Sequence, residues 1–280
     1  MALQTQETTT LICQALEVSR AGYYHHRLKP ERPRRQQDQK LLPLLRREFV
    51  ASRKSYGSPR LRAALGRLGQ WCGKNRVARL MRQAGLRAQQ KRPFRPRTTQ
   101  SNHGLAIAPN WLAQVPKPAQ PDQVWVSDIT YLPTRQGWLY LAVTLDACSR
   151  KVLGWWTADT LETPLVTEAL KRAWQRRGPS PGILHHSDRG VQYASSACRA
   201  LLASYQITPS MSRKGNCYDN ALAESFFATL KTEAFATDMP TTKAHAKQTL
   251  FAYIEAFYNT RRLHSALGYK SPVEFENQFN

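Results

Sequence analysis

The chain has 280 residues, with 41 Lys plus Arg against 19 Asp plus Glu, a formal net charge of +22 and a hydrophobic fraction of 41%. That apolar content supports a sizeable core and excludes wholesale disorder, the length suits about two domains, and no apolar run approaches the ~18 residues of a bilayer span. Five Cys with no C-x-x-C pair exclude a disulfide framework and a zinc knuckle, and the polar N-terminus carries no visible leader, so a soluble protein of a reducing compartment is expected.

The charge is unevenly placed. Residues 1–100 carry 23 basic and 5 acidic side chains, a net of +18, whereas residues 122–280 carry 17 and 14, a net of +3. Such an excess repels itself in a compact fold. A polyanion relieves the repulsion, and counterion release favours the complex, so the basic half is expected to bind nucleic acid.

In chain order, Leu11, Ile12, Ala15 and Leu16 mark a first apolar helix. Ser19 is a candidate N-cap for a second, carrying Tyr23 and Tyr24. Leu41, Leu42, Leu45 and Phe49 predict a helix over 36–51 that begins or bends near Pro43. Tyr56-Gly57-Ser58-Pro59 reads as a cap with Pro at the first helical position, opening a helix over 59–68 with Leu61, Leu65 and Leu68 on one stripe. Beyond Gly69 and Gly73, a helix over 74–84 turns Val77, Leu80 and Met81 inward and leaves Lys74, Arg76, Arg79 and Arg82 for solvent or DNA. Helix, glycine turn and basic helix is the layout of a DNA-reading helix-turn-helix. The expected organisation is a basic helical region over 1–86, then a basic linker over 87–121 with six Pro between 93 and 121.

From 122 the texture becomes strand-like. Val124, Val126, Ile129 and Leu132 mark one strand. Residues 138–147, nearly continuously apolar, read as a central strand after a turn at Gln136-Gly137. Residues 151–158 form a third. A helix over 162–177, capped by Thr160 or Thr163, precedes a strand over 183–187, a helix over 194–205, a strand over 207–211 and helices over 220–235 and 241–260. Three antiparallel strands followed by alternating helices and strands describe an α/β fold with a mixed sheet over 122–280.

Three carboxylates stand out on that layout. Asp128 lies in the first strand, Asp188 ends the fourth, and Glu224 sits one turn into the helix after residue 219. If they converge they repel one another unless a cation lies among them. Oxygen-only ligands suit Mg²⁺ or Mn²⁺, and two such ions about 4 Å apart activate a water or a 3′-hydroxyl for attack on a phosphodiester. Asp146, Asp159 and Asp219 compete for the same role, Asp219 also as an N-cap. Lys231 follows Glu224 by two helical turns on the same face. Arg213 and Lys214, with Gly215, make a basic loop that can grip a DNA strand, with Asn220 helping to fix it. His185 and His186 read as structural strand residues, and Trp125, Trp155 and Trp156 as core aromatics.

Four ordered segments, WVSDITYL (125–132), HHSDRGVQY (185–193), SRKGNCYDNALAESFFATLKTE (212–233) and YNTRRLHSALGYKSPVEFE (258–276), resemble the second-frame, OrfB-type transposases of the IS-three insertion-sequence family. The resemblance covers about 122–276, with weaker likeness upstream at Tyr56 to Pro59. It implies an RNase H-like, retroviral-integrase-type core with a mixed five-stranded sheet and an Asp-Asp-Glu triad, which falls on Asp128, Asp188 and Glu224. The implied activity is DNA strand cleavage and 3′-hydroxyl transfer at element ends with Mg²⁺ or Mn²⁺. Lys231 falls on the family's basic position thought to hold DNA. The implied partners are double-stranded DNA, further copies of the chain and an upstream-frame OrfA product, in a bacterial cytoplasm and on the nucleoid. No zinc module is expected, because His25 and His26 lack a following Cys pair. The rival readings are a catalytically inactive DNA-binding regulator derived from such an enzyme and a nuclease that cuts without joining.

Overall fold

A computed structural model describes residues 6–28, 33–89, 104–179, 181–213, 221–235 and 239–279. The chain divides into two compact units, Met1–Arg47 and Glu48–Asn280. In the first unit, α1 (Gln6–Ala15) contacts α2 (Arg20–Leu28), and Ser19 caps α2 by accepting a bond from the Gly22 amide at 3.0 Å. The buried stripe of α1 is Thr9 and Cys13; Leu11 and Leu16, expected inside, lie off that stripe and are exposed. Helix α3 (Pro33–Ala51) starts ahead of the expected boundary and carries Pro43 in its interior.

In the second unit, α4 (Ser58–Arg67) and α5 (Lys74–Gln83) pack together. Leu61, Leu65, Val77, Leu80 and Met81 form the buried stripes as expected, but Leu68 is exposed because α4 has already ended at Arg67. The cap of α4 is Gly57, with no side-chain bond, so Pro59 fills the first turn without help from Ser58. Two long-range contacts fix α4: the Tyr56 hydroxyl accepts from the Leu263 amide at 2.6 Å, and Arg67 forks onto Glu274 at 2.9 and 2.7 Å.

The sheet follows. Strands β1 (Val124–Thr134) and β2 (Gly137–Asp146) form a hairpin, and β3 (Val152–Ala158) pairs antiparallel with β2. The hairpin turns through Arg135-Gln136. Gly137 adopts a positive φ of 97°, and Thr134 Oγ1 bonds its carbonyl at 2.6 Å. Helix α6 (Thr163–Arg177) crosses over to β4 (Leu184–Ser187), and α7 (Val191–Ala194) and α8 (Ser196–Ser204) lead to β5 (Thr208–Met211). The order is β3-β2-β1-β4-β5, with β4 parallel to β1 and β5 parallel to β4. The continuous apolar run of β2 is thus explained: it is hydrogen-bonded on both sides and buried. Glu162, rather than Thr160 or Thr163, occupies the α6 cap position, and the expected helix over 194–205 is broken at Ser195, which caps α8 by bonding the Cys198 amide.

Trp125, Leu153, Leu165, Leu170, Leu202 and Ile207 anchor the core between the sheet and helices α6 and α8. Gly154 is required there, since a Cβ would lie 2.1 Å from the Ala169 carbonyl oxygen and 2.5 Å from the Ala173 amide. Trp125 is buried as expected, whereas Trp155 and Trp156 are half-buried at the margin. The former bonds Glu255 at 2.9 Å and the latter lies under Arg172 at 4.1 Å.

Helix α9 (Ala221–Ala234) contacts β1 and α10 (Lys243–Tyr253). The single helix expected over 241–260 ends in a π turn over Ile254–Tyr258. The turn delivers the Asn259 side chain to the backbone of Val152, bonding its amide at 2.9 Å and its carbonyl at 3.0 Å. Helix α11 (Pro272–Glu276) closes the chain with a full capping box at Ser271 and Glu274. Its last residue, Glu276, accepts from Ser149, Lys151 and Arg177, which hold its carboxyl below the usual range despite burial. Among the described residues no helix is long and apolar enough to cross a membrane.

Candidate active site

The parallel register of β1 and β4 runs Val124↔Leu184, Trp125↔His185 and Val126↔His186. Asp128 follows the last paired residue of β1 by two positions, and Asp188 comes directly after the end of β4 at Ser187, so both lie toward the same end of the paired strands. Residues in register on parallel neighbours project to the same side, with strands about 4.8 Å apart. Both carboxylates are half-buried. Asp128 Oδ1 accepts from the Ile129 amide at 2.8 Å, and Asp188 Oδ1 from the Gly190 amide at 2.9 Å. The second bond closes the turn after β4 and leaves no room at Gly190, where a Cβ would lie 3.0 Å from the same oxygen. The turn ends the strand, so Asp188 sits on the rim rather than inside the sheet.

Tyr193, on α7, was not singled out by the sequence. Among the described residues its buried hydroxyl has no hydrogen-bond partner, and burial first, then the charges of Asp128 and Asp188, pushes its pKa well above the usual value. A signal was present: in D-R-G-V-Q-Y, Tyr193 lies five residues after the aspartate, just where a short helix would swing it back toward the strand end.

Lys231 on α9 is half-buried. Its ammonium lies 5.0 Å from the centre of the Tyr131 ring; burial pushes it down and Asp128 pulls it back up. Its contacts are therefore with β1. Ala223, Phe227 and Leu230 are on the buried face of the helix. Glu224 is exposed in the first turn of α9. Among the described residues no three His, Cys, Asp or Glu side chains stand close enough to hold a metal ion. The two aspartates therefore lie toward one end of neighbouring strands, Asp128 within β1 and Asp188 just past β4, and Glu224 is presented to solvent from a separate helix. Arg213 is exposed at the end of β5, while Lys214 and Asn220 lie outside the described residues, as does Asp219. On α5, Lys74 and Arg79 are exposed and Arg76 is half-buried.

The competing acids have structural roles. Asp146 is buried and accepts from the amides of Asp122, Cys148 and Ser149 at 2.7, 2.9 and 2.7 Å, fixing the turn into β3. Asp159 pairs with Lys243 at the surface. Both histidines are buried hydrogen-bonding residues. His185 Nε2 contacts Ser127 Oγ at 2.8 Å and is pushed down to about 3 by burial, and His186 Nδ1 contacts Ser210 Oγ at 2.9 Å.

Comparison with known proteins fits this architecture. An integrase core domain matches residues 118–217, a further integrase core segment matches 205–272, and an HTH-like domain matches 36–94. The "Insertion element IS600 uncharacterized 31 kDa protein" of Shigella sonnei is 40% identical over 269 residues, covering 96% of this chain and 98% of the relative. The chain belongs to the IS-three family of insertion-sequence transposases. Other members include the "Transposase for insertion sequence element IS904" of Lactococcus lactis, 39% identical over 88% of this chain and 97% of its own. The "Transposase InsF for insertion sequence IS3A" of Escherichia coli is 38% identical over 98% of this chain and 96% of its own. The family match makes this a transposase with an integrase core and a helix-turn-helix-like region, in which α4 and α5 fall within the latter.

Proposed function

We propose that the protein is the catalytic subunit of an insertion-sequence transposase, an Asp-Asp-Glu polynucleotidyl transferase that cleaves a DNA strand at the element end and joins the 3′-hydroxyl to a target phosphodiester. The observation that supports this reading is the parallel pairing of β1 with β4, with Asp128 and Asp188 following the last paired residues and Tyr193 feeling the charge of both. Glu224, exposed on a helix that contacts β1, is proposed as the third carboxylate. The donor set is carboxylate oxygen throughout, which fits Mg²⁺ or Mn²⁺ and not zinc. When bound, such ions lower the barrier by activating the attacking oxygen and stabilising the leaving one.

The chain's own groups then have distinct tasks. The Ile129 and Gly190 amides hold one oxygen of each aspartate and so fix the rotamers before substrate arrives. Tyr193 presents a buried hydroxyl to the pair and can donate where charge accumulates. Lys231 supplies positive charge beside Asp128 for a phosphate of the substrate. Arg213, Lys214 and Asn220 border the loop that leads into α9 and are proposed to hold the scissile strand. Lys74, Arg76 and Arg79 on α5 are proposed to contact double-stranded DNA. Joining requires both element ends together, so self-association on DNA is expected, and an upstream-frame OrfA product is a further expected partner.

Asp188→Asn tests the reading. The variant should bind a duplex carrying the element's own terminal repeat as the parent does, yet lose strand cleavage in Mg²⁺ by at least ~10³-fold, the scale of removing a group that acts in the transition state. Cleavage retained by the variant would overturn the site. A parent protein that binds but never nicks would instead be a regulator, and one that nicks without joining a pre-cut end would be a nuclease.

A further inference from the structure

A second polar site lies on the other flank of α9. A cavity of about 180 Å³ is bordered by Arg60 of α4, Arg150 of the turn before β3, Ser225 and Thr229 of α9, and Arg262 and His264 of the C-terminal segment. At roughly 30 Å³ per water it holds about six waters. Its mouth reaches solvent, since Ser265 and Ala266 on its rim are exposed and Arg60 and Arg150 are half-buried.

The charges in it do not balance. Glu233 is the acidic residue on the wall, and it is fully engaged: Arg262 donates to both its oxygens at 2.8 Å, and the Tyr253 hydroxyl donates to one of them at 2.8 Å. His264 stays neutral, pushed down to about 2 by burial and then by Arg262, Arg60 and Arg150. Arg60 and Arg150 therefore bring two uncompensated charges. Among the described residues neither guanidinium makes a hydrogen bond or an ion pair; Arg60 lies 5.7 Å from the centre of the Tyr56 ring, and burial together with Arg262 pushes its pKa down. Half-buried guanidinium forks without a counter-ion are costly, and a fork matches two oxygens of a phosphate.

We propose that Arg60 and Arg150 together clamp a single DNA backbone phosphate in this cavity. Leu222 and Ser225 on its wall flank Glu224 in sequence, so the clamp would fix the duplex within one turn of the proposed third carboxylate, and it joins the helix-turn-helix-like α4 to the catalytic helix. The site rests on the DNA-acting reading above but not on its chemistry, so its test is a binding measurement.

The probe is a fluorescein-labelled 30-base-pair duplex, titrated with the full chain over a KCl series and read by anisotropy. Each neutralised phosphate contributes about 0.9 to the slope of log K against log salt. Arg60→Gln and Arg150→Gln should each flatten the slope by about 0.9, and the double variant by the same about 0.9 rather than about 1.8, because one phosphate is shared. Arg199→Gln, an exposed arginine on α8, should leave it unchanged. Arg60→Lys and Arg150→Lys, which keep the charge and guard against misfolding of the Gln variants, should retain the slope while weakening binding several-fold. Unchanged slopes in the Gln variants, or additive ones in the double, would overturn the clamp. A rise in Tm with 10 mM inorganic phosphate over ionic-strength-matched KCl, seen in the parent and lost in the double variant while the DNA slopes stay equal, would assign the cavity to free phosphate and overturn the DNA assignment.

Discussion

Glu233 and Arg262 offer a sharp test of how helix α9 is held. Glu233 ends α9 with its side chain 5% exposed, and the Arg262 side chain is 5% exposed. The carboxylate accepts three hydrogen bonds, two from the guanidinium and one from Tyr253, each at 2.8 Å. Glu233→Gln keeps the shape but removes the charge and turns an amide NH₂ against a donor. Arg262 then keeps its charge in a site where burial opposes it and Glu233 had supported it. Removing one partner of a buried pair costs about 3–5 kcal/mol. Replacing all three groups by apolar ones, in Glu233→Leu with Arg262→Met and Tyr253→Phe, removes the buried pair and its hydrogen bonds together, leaves His264 without its 3.4 Å contact to Arg262 but on the wall of the water-holding cavity, and should fall within about 2 kcal/mol of the parent. All seven Trp lie in the Glu48–Asn280 unit, so urea unfolding followed by Trp fluorescence reads that unit alone. With a slope of about 3 kcal/mol per M, Glu233→Gln should lower the midpoint by about 1–1.7 M. A drop below about 0.3 M, or a triple variant no more stable than the single one, would refute the argument that an orphaned charge dominates the loss.

Other outcomes follow from the same coordinates. His185 and His264 are held neutral, with pKa values near 3 and 2 against about 6.5 in the unfolded chain. Below pH 6.5 the unfolded state binds more protons, so stability falls as the pH drops, and these groups contribute no slope above 6.5. From pH 6.5 to 5 each should cost about 1.6 kcal/mol, a little under the full 1.36 per unit because the unfolded imidazole is half charged at 6.5; urea midpoints that stay flat over that range would contradict it. Gly154→Ala would drive a methyl into the backbone of α6, and the overpacking should cost about 3 kcal/mol; a variant that melts within 2 °C of the parent would place α6 farther from β3 than described.

Much of the sheet was legible because the code for it is local. The alternation in β1, the apolar run of β2 and the turn signal at Gln136-Gly137 each act over a few residues; both strands form as read, and the turn falls one residue earlier, at Arg135-Gln136. The misses were of two kinds. Caps were assigned by residue type at Ser58 and at Thr160 or Thr163, whereas the chain begins α4 at Gly57 and α6 at Glu162, with Pro in the first turn of each. Helix ends depended on long-range partners: Asn259 can reach Val152 only through the π turn that interrupts the predicted helix. The nearness of Tyr193 to Asp128 and the pairing of Lys231 with Tyr131 depend on long-range packing in the same way, since each spans 60 residues or more of chain.

The sequence alone determined which residue types carry charge, where strands and helices form and, through the motifs around Asp128, Asp188 and Glu224, the family to which the chain belongs. Only the tertiary structure decided that Asp128 and Asp188 lie toward the same end of the parallel β1–β4 pair with Tyr193 within reach of both charges, and that Arg60 and Arg150 line one cavity. The division is physical. Periodicity and turn chemistry act between near neighbours and are written in the order of residues, whereas electrostatic balance is set by which distant side chains are packed together once water has been excluded.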